Sequence, residues 1–345
     1  VYCPWWRFTH QSNSITLARG TLILNQKAQG LQVTHAGVLS LLQDAGRFGA
    51  FSLGLTNGGP ADSHAFYWAN RLCGNELNTT AIEINLGGLS LIAQVDCLIA
   101  VTGAPMPLSI NGRPQSLWCS FFVKAGDNIT LGYASQGVRA YLAIAGGFDV
   151  KPSFGSVSTV CRESVGGLKG EKLQENDILP CHALSDLSQN RAKAKQLLLA
   201  ENDQPKYTNE LTLHTMLSYQ QKHFSSTEKR MFFSSEYEIS TRWDRMGYRL
   251  TGRAVKADIE GILSEGICYG AVQVPADGQP IVLLNDRQTI GGYPKIGAVI
   301  SQDCAKLSQL RQGGKVRFEP ISMSQADNMF HLNLARFNQT PLKAY

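Results

Sequence analysis

With 345 residues, of which 33 are Gly and 13 Pro, 43% hydrophobic and only 17% charged, the chain has the composition of a turn-rich β protein with room for two cores, which argues against disorder over most of its length. A formal charge of +5, with no Lys/Arg run interleaved with aromatics, argues against a nucleic-acid groove. No apolar run approaches the roughly 20 residues of a membrane-spanning helix.

Residues 1–30 place Trp5, Trp6 and Phe8 ahead of a polar stretch and lack the charged start, apolar centre and cleavage site of a signal peptide. They are expected to be an extension outside the fold. Val38, Leu39, Leu41 and Leu42 then read as a strand ending in Asp44 and Arg47, an acid and a base whose plainest role is a structural ion pair. The turn at residues 57–62 opens a helix over 62–74, with Asp62 as N-cap, Ala65, Phe66, Ala69, Leu72 and Cys73 on one side, and Gly74 as terminator. Glu83, beside Gly-rich sequence, is a candidate acid or base with no visible partner. Short apolar segments separated by Gly-rich turns follow at residues 89–93, 97–102, 121–123, 129–132 and 139–144, a spacing that predicts a barrel or a sandwich.

Residues 183–204 turn polar and alanine-rich around one apolar cluster at 197–199, which makes them the linker candidate. The chain is therefore divided near residue 205: a first β domain over residues 31–205 including the linker, a second over 206–320, and a C-terminal tail over 321–345. Turn-then-strand phrases at residues 125–129 and 313–316 hint that the two domains are related. The eight cysteines show no Cys-x-x-Cys, and no His pair stands at ligand spacing, so no zinc signature and no metal site are expected. Cys97 and Cys268 adjoin apolar residues, where a thiol serves as a small hydrophobe, and reduced thiols in the cytoplasm are the expected state. No nucleophile elbow, Walker loop or dinucleotide fingerprint is present.

In the second half, Arg242, Arg245, Arg249 and Arg253 fall at helical spacing, but Gly247 and Gly252 argue against a helix. As a turn plus strand, the same residues point Arg245 and Arg249 to one side, where guanidinium forks suit carboxylates or phosphates; the plain alternative is a solvated basic edge strand. Glu265 is a second candidate carboxylate, and residues 303–312 read as a helix before Gly313. Residues 273–296 are the densest polar cluster. There the apolar run 281–284 reads as a buried strand that delivers Asp286, Arg287 and Gln288 to its end. Gly291 and Gly292 permit a sharp turn or the close approach of a ligand, and Pro294 fixes the chain before Lys295. A solvated turn and a simple hairpin are the plain alternatives here.

Eight phrases in fixed order carry a resemblance: Gln43-Asp-Ala-Gly-Arg47, Gly59-Pro-Ala-Asp62, Ala69-Asn-Arg-Leu-Cys-Gly-Asn75, Glu83-Ile-Asn-Leu-Gly-Gly88, Thr102-Gly-Ala104, Arg139-Ala-Tyr-Leu-Ala-Ile-Ala-Gly-Gly147, Asp244-Arg-Met-Gly-Tyr-Arg-Leu250 and Asp286-Arg-Gln-Thr-Ile-Gly-Gly-Tyr-Pro-Lys295. Over about residues 31–320 the chain resembles the biotin-dependent carboxyltransferase family. The resemblance implies a mainly β fold of two cyclophilin-like β-barrel domains with a few short helices. It also implies one component of an ATP-dependent 5-oxoprolinase, with the B and A subunits of that enzyme as partners, ATP used with the partner, and 5-oxo-L-proline converted to L-glutamate. Asp286, Gln288, Tyr293 and Lys295 are then the expected catalytic core, with Gln273, Asp244, Arg245, Gly291 and Gly292 as substrate-binding neighbours. Two other roles fit the same family: a non-catalytic antagonist of a kinase-inhibiting protein, and a carboxyltransferase served by a separate biotin carrier. The chain has no biotin-carrier sequence around a Met-Lys-Met, so biotin of its own is not expected. It departs from the family pattern at residues 215–224, where a Gly-Pro pair is common, and at Ile290, where many members have a second Thr.

Overall fold

The computed structural model describes residues 29–186 and 195–345. The extension expected over residues 1–30 lies outside these except for Gln29 and Gly30, and Gly30 already opens the first strand. The chain is mainly β, and among the described residues no helix is long and apolar enough to cross a membrane.

The first half is built from two antiparallel sheets. One runs in the order Ile178–Pro180, Gly30–Ala36, Leu89–Ala93, Asn128–Leu131, Leu108–Ile110, Arg113–Gln115; the other runs Leu39–Gln43, Ala81–Asn85, Arg139–Ile144, Cys97–Gly103, Cys119–Val123, Leu197–Leu199, Leu342–Ala344. Leu31, Val33, Leu91, Ile129, Ile82, Ile99, Val101 and Leu142 fill the core between them. Every residue of Cys97–Gly103 and Arg139–Ile144 is buried, because the outer face of those strands is covered too. The helix Ser63–Leu72 lies there, packing Phe66, Ala69 and Leu72 on Leu98, Tyr141 and Ala143. Asp62 caps it, accepting the Ala65 N–H at 3.1 Å, so the expected start and cap are found.

The second half closes into a barrel in the order Glu210–Leu217, Lys295–Val299, Ala271–Gln273, Ile281–Leu283, Gly247–Gly252, Glu236–Trp243, Lys315–Pro320, the last strand pairing back in parallel with the first. Strand Glu236–Trp243 alternates Tyr237 and Ile239 inward with exposed Glu236 and Glu238, the period of a sheet wet on one face. Phe232 of the helix Ser226–Ser234 stacks on Phe318 with ring centroids 4.3 Å apart. The helix expected over 303–312 runs instead from Ser301 to Leu307.

The tail expected over 321–345 contains a 17-residue helix, Met323–Gln339. Ser322 accepts the Gln325 N–H and Gln325 Oε1 accepts the Ser322 N–H, a capping box that the spacing Ser-x-x-Gln signals. The helix leads back to the first half: Phe337 is buried with its ring 4.7 Å from Trp68, and Arg71 donates to the carbonyl oxygens of Phe337 and Thr340. Leu342–Ala344 then pairs with Leu197–Leu199. Phe337→Ala is expected to cost about 3 kcal/mol, the range for truncating a buried aromatic, and to lower the urea midpoint; an unchanged midpoint would mean that the helix is not anchored there.

Candidate functional site

The strand-end residues fall in two places. The first lies between the halves and is built on Arg245, which sits in the turn between Glu236–Trp243 and Gly247–Gly252. Its guanidinium takes Asp286 as a two-pronged fork, Nε to Oδ2 and Nη2 to Oδ1, both at 2.9 Å. Nη1 donates to Glu83 Oε1 at 2.6 Å, and Nη2 donates to the Gly59 carbonyl at 2.8 Å. Glu83 belongs to the first-half strand Ala81–Asn85 and is fully buried. Its Oε2 accepts from the Ala61 N–H at 2.9 Å and from the Tyr141 hydroxyl at 2.7 Å, while Arg139 Nε lies 3.6 Å from Oε1. Burial alone would raise the Glu83 pKa, but the Arg245 and Arg139 guanidiniums, the Ala61 N–H and the Tyr141 hydroxyl hold it below the usual carboxylate range. Arg245 is likewise desolvated, yet Asp286 and Glu83 push its pKa well above the ordinary value. This is a closed, charged clamp.

Neighbouring contacts extend the clamp. Asn285 Nδ2 donates to the Gly58 and Pro60 carbonyls, both at 3.1 Å, and Arg287 Nη2 donates to Asn57 Oδ1 at 3.2 Å. Gln309 Nε2 reaches Asp62 Oδ2 at 2.7 Å.

The second place lies on the barrel wall. Lys295 and Gln273 are paired opposite one another on adjacent antiparallel strands, which puts their side chains on one face. Only 5% and 6% of their surfaces are exposed. Lys295 Nζ is ion-paired with Glu265 Oε1 at 2.5 Å. Gln273 Nε2 has no hydrogen-bond acceptor among the described residues. Glu265 is held by the Tyr219 hydroxyl and by Gln220 Nε2, the latter at 2.8 Å, while Gln220 Oε1 accepts the Lys295 backbone N–H at 2.8 Å. Gly291 packs so tightly that a Cβ there would stand 2.9 Å from Gln273 Nε2 and 2.6 Å from Ile267 Cδ1. Its close approach is therefore to the protein's own amide. Gly292 accepts the Ile262 N–H at 2.8 Å through its carbonyl.

The remaining candidates are dispersed. Gln288 and Tyr293 are exposed, and their side chains make no hydrogen bond among the described residues. Asp244 caps its own turn, accepting the Met246 and Gly247 N–H groups at 2.7 and 3.2 Å. Arg245 and Arg249 do not share a side: Arg249 pairs with Asp277 at the surface, because Arg245 occupies the turn rather than the regular pleat. Asp44 and Arg47 are not an ion pair either. Asp44 accepts the Ser156 and Ser158 hydroxyls at 2.5 and 2.6 Å, and Arg47 donates to the Ser153, Ser156 and Ser158 carbonyls. Cys97 is buried as expected, whereas Cys268 is exposed. Tyr219 and Gln220 carry no signal in the sequence that marks them for the site, whereas Tyr141 and Arg139 lie in the phrase 139–147 that carries the family resemblance without being singled out there. The first two lie in residues 215–224, where the chain departs from the family pattern; Ile290, the other departure, flanks the same site by pairing with Gly266.

The family described as carboxyltransferase domain, subdomain A and B, matches residues 53–320. The chain is 36% identical over 297 residues to the C subunit of 5-oxoprolinase from Escherichia coli (strain K12), covering 86% of this chain and 93% of that protein. The corresponding C subunit from Haemophilus influenzae is 33% identical, with 85% and 91% covered. Urea amidolyase of Saccharomyces cerevisiae is 28% identical over 90% of this chain, which spans only 18% of that protein. Among solved structures, TTHA0988 superposes with a TM-score of 0.73 at 30% identity, over 85% of this chain and 56% of that one. The urea amidolyase of K. lactis shares the fold, with a TM-score of 0.84 at 24% identity, over 92% of this chain and 20% of that one.

Proposed function

Since the chain belongs to the carboxyltransferase-domain family, subdomains A and B, we propose that it is the C subunit of an ATP-dependent 5-oxoprolinase, acting with the B and A subunits to convert 5-oxo-L-proline to L-glutamate. The observation that carries this reading is the 36% identity to a protein of that name over 93% of its length. A cyclic amide resists hydrolysis because its nitrogen lone pair is delocalised into the carbonyl. Phosphorylating the amide oxygen makes the ring carbon electrophilic, and ATP, used together with the B subunit, would supply that phosphoryl group.

In this proposal the buried Lys295 ammonium neutralises negative charge on the substrate, a fixed charge in a dry site being the strongest form of electrostatic help. Gln273 orients the substrate through its unpaired amide. Asp286 and Arg245 act through position, holding the chain that runs from the clamp to Gly291. Gln288 and Tyr293 stand at the exposed rim, available to substrate or partner. A cytoplasmic setting fits an ATP-consuming reaction.

A second reading, carboxyl transfer from a separate biotin-bearing carrier, is favoured by the urea amidolyase and putative urea carboxylase relatives, which match 85–90% of the chain. One assay separates them. Glutamate and ADP are measured from 5-oxoproline with this chain and its genomic A and B subunits, each omitted in turn. Both products are expected only in the complete mixture. Tight binding to the B subunit without either product would replace the proposal by carboxyl transfer or by a purely antagonistic role.

A further inference from the structure

A small flap covers the Lys295 site. Glu265–Gly266 and Ile290–Gly291 form a two-stranded sheet that is separate from the barrel, extended by the Ile262 N–H to the Gly292 carbonyl and the Ile267 N–H to the Thr289 carbonyl. Its edge carries Leu263, Ile290 and Tyr293, which are 93%, 59% and 47% exposed, and Tyr219 stands nearby at 70%. Exposed apolar and aromatic side chains thus accompany the buried polar groups of this site, a mix that small-molecule sites use.

The floor holds Gln273 Nε2, a buried donor that lacks an acceptor among the described residues, and Lys295 Nζ, whose charge is met by the Glu265 carboxylate. Such groups cost free energy unless something satisfies them. The one anion beside Lys295 among the described residues, the Glu265 carboxylate, comes from the flap and is itself a third exposed. It is also the shared acceptor of the Tyr219 hydroxyl and the Gln220 amide. An ammonium, a phenol and an amide therefore converge on a carboxylate that a short two-stranded element outside the barrel delivers.

We propose that Glu265 is a built-in stand-in for the carboxylate of a small organic acid, which displaces it from Lys295, Tyr219 and Gln220 when it binds. The ligand class is an acid with a second acceptor a few bonds away, such as a lactam carbonyl, to take the Gln273 amide. This rests on the reading of the Lys295 site as the substrate site and adds the part of the substrate it recognises. The lysine ammonium beside it and the Tyr219 hydroxyl hold the Glu265 pKa below the usual range, so at neutral pH the stand-in is charged and competes with the ligand. Apparent affinity is then reduced by the fraction of molecules in which the flap has released Lys295.

The test is calorimetric titration of the full chain, native, Glu265→Gln and Glu265→Ala, with 5-oxo-L-proline, with acetate, and with 2-pyrrolidinone, the same ring without the carboxylate. Removing the competitor is expected to tighten binding of both acids by about tenfold or more, leaving 2-pyrrolidinone unchanged. Amide exchange over residues 262–267 of the native chain should rise when either acid binds. Glu265→Gln, nearly isosteric, guards against misfolding of the alanine variant. Equal or weaker binding of the acids to both variants overturns the proposal, whatever the glutamate assay gives. Tighter acetate binding with no binding of 5-oxoproline upholds the stand-in and removes the lactam acid as substrate.

Discussion

Arg245→Ala is expected to destabilise the folded chain by about 3–5 kcal/mol, the cost of stranding buried charges by removing their partner. Asp286 would lose its guanidinium, and Glu83 the nearer of its two, in a place with little access to water. Urea unfolding should show the loss as a shift in midpoint, and Arg245→Lys should recover only part of it, because an ammonium cannot reproduce the fork to Asp286 while also reaching Glu83 and Gly59. A midpoint within error of the native one would show that the clamp contributes nothing net. Combining Arg245→Ala with Glu83→Gln should cost less than the sum of the two, since the neutral amide no longer strands a charge. The pH dependence has a definite sign. Glu83 has a folded pKa below its usual value, so its stabilisation is fully present above the usual glutamate range and disappears as pH falls through the lower, folded value. Glu83→Gln should flatten that part of the acid limb.

Lys295→Ala is expected to reduce turnover of the assembled enzyme by about a hundredfold to a thousandfold, the range for deleting one group that stabilises charge in the transition state. Steady-state rates of glutamate and ADP formation would measure it. The unfolding midpoint is measured beside it, because Lys295 is buried and paired with Glu265, and the loss of turnover is expected in protein that is still fully folded under assay conditions. Lys295→Arg keeps the charge but brings a bulkier planar fork into a place where the lysine is only 5% exposed, and is expected to rescue poorly. Turnover within twofold of native for Lys295→Ala would take this residue out of the chemistry altogether.

Much of the fold is legible from local pattern. The strands at 89–93 and 139–144 have the expected bounds, and Asp62 caps the helix it is expected to start. Ser322-x-x-Gln325 is equally legible as a helix start, but the polar run after it, with only Ala326 and Phe337 buried, carries a weak apolar stripe. The site is harder to read for a physical reason. Arg245 and Asp286 meet within the second half, but Glu83 joins them only because the halves pack together, and contacts separated by 162 residues along the chain leave no periodicity in the sequence. Lys295 and Gln273 stand out by residue type. The unpaired Gln273 amide and the pairing of Lys295 with Glu265 depend on strand register and on the flap, neither of which a spacing reveals. Tyr219 and Gln220 sit in a stretch notable only for departing from the family pattern.

The return of Leu342–Ala344 to the sheet that begins with Leu39–Gln43 has a bearing on synthesis as well as on architecture. During translation the barrel segments of residues 210–320 emerge and can close while the first-half sheet still waits for its seventh strand. Leu197–Leu199 remains an open edge through that interval, able to recruit a strand from a neighbouring nascent chain. Polysomes crowded on one message are where exchange of strand Leu342–Ala344 between copies would begin, and slowing the ribosome over the codons for residues 321–344 would lengthen the window for it.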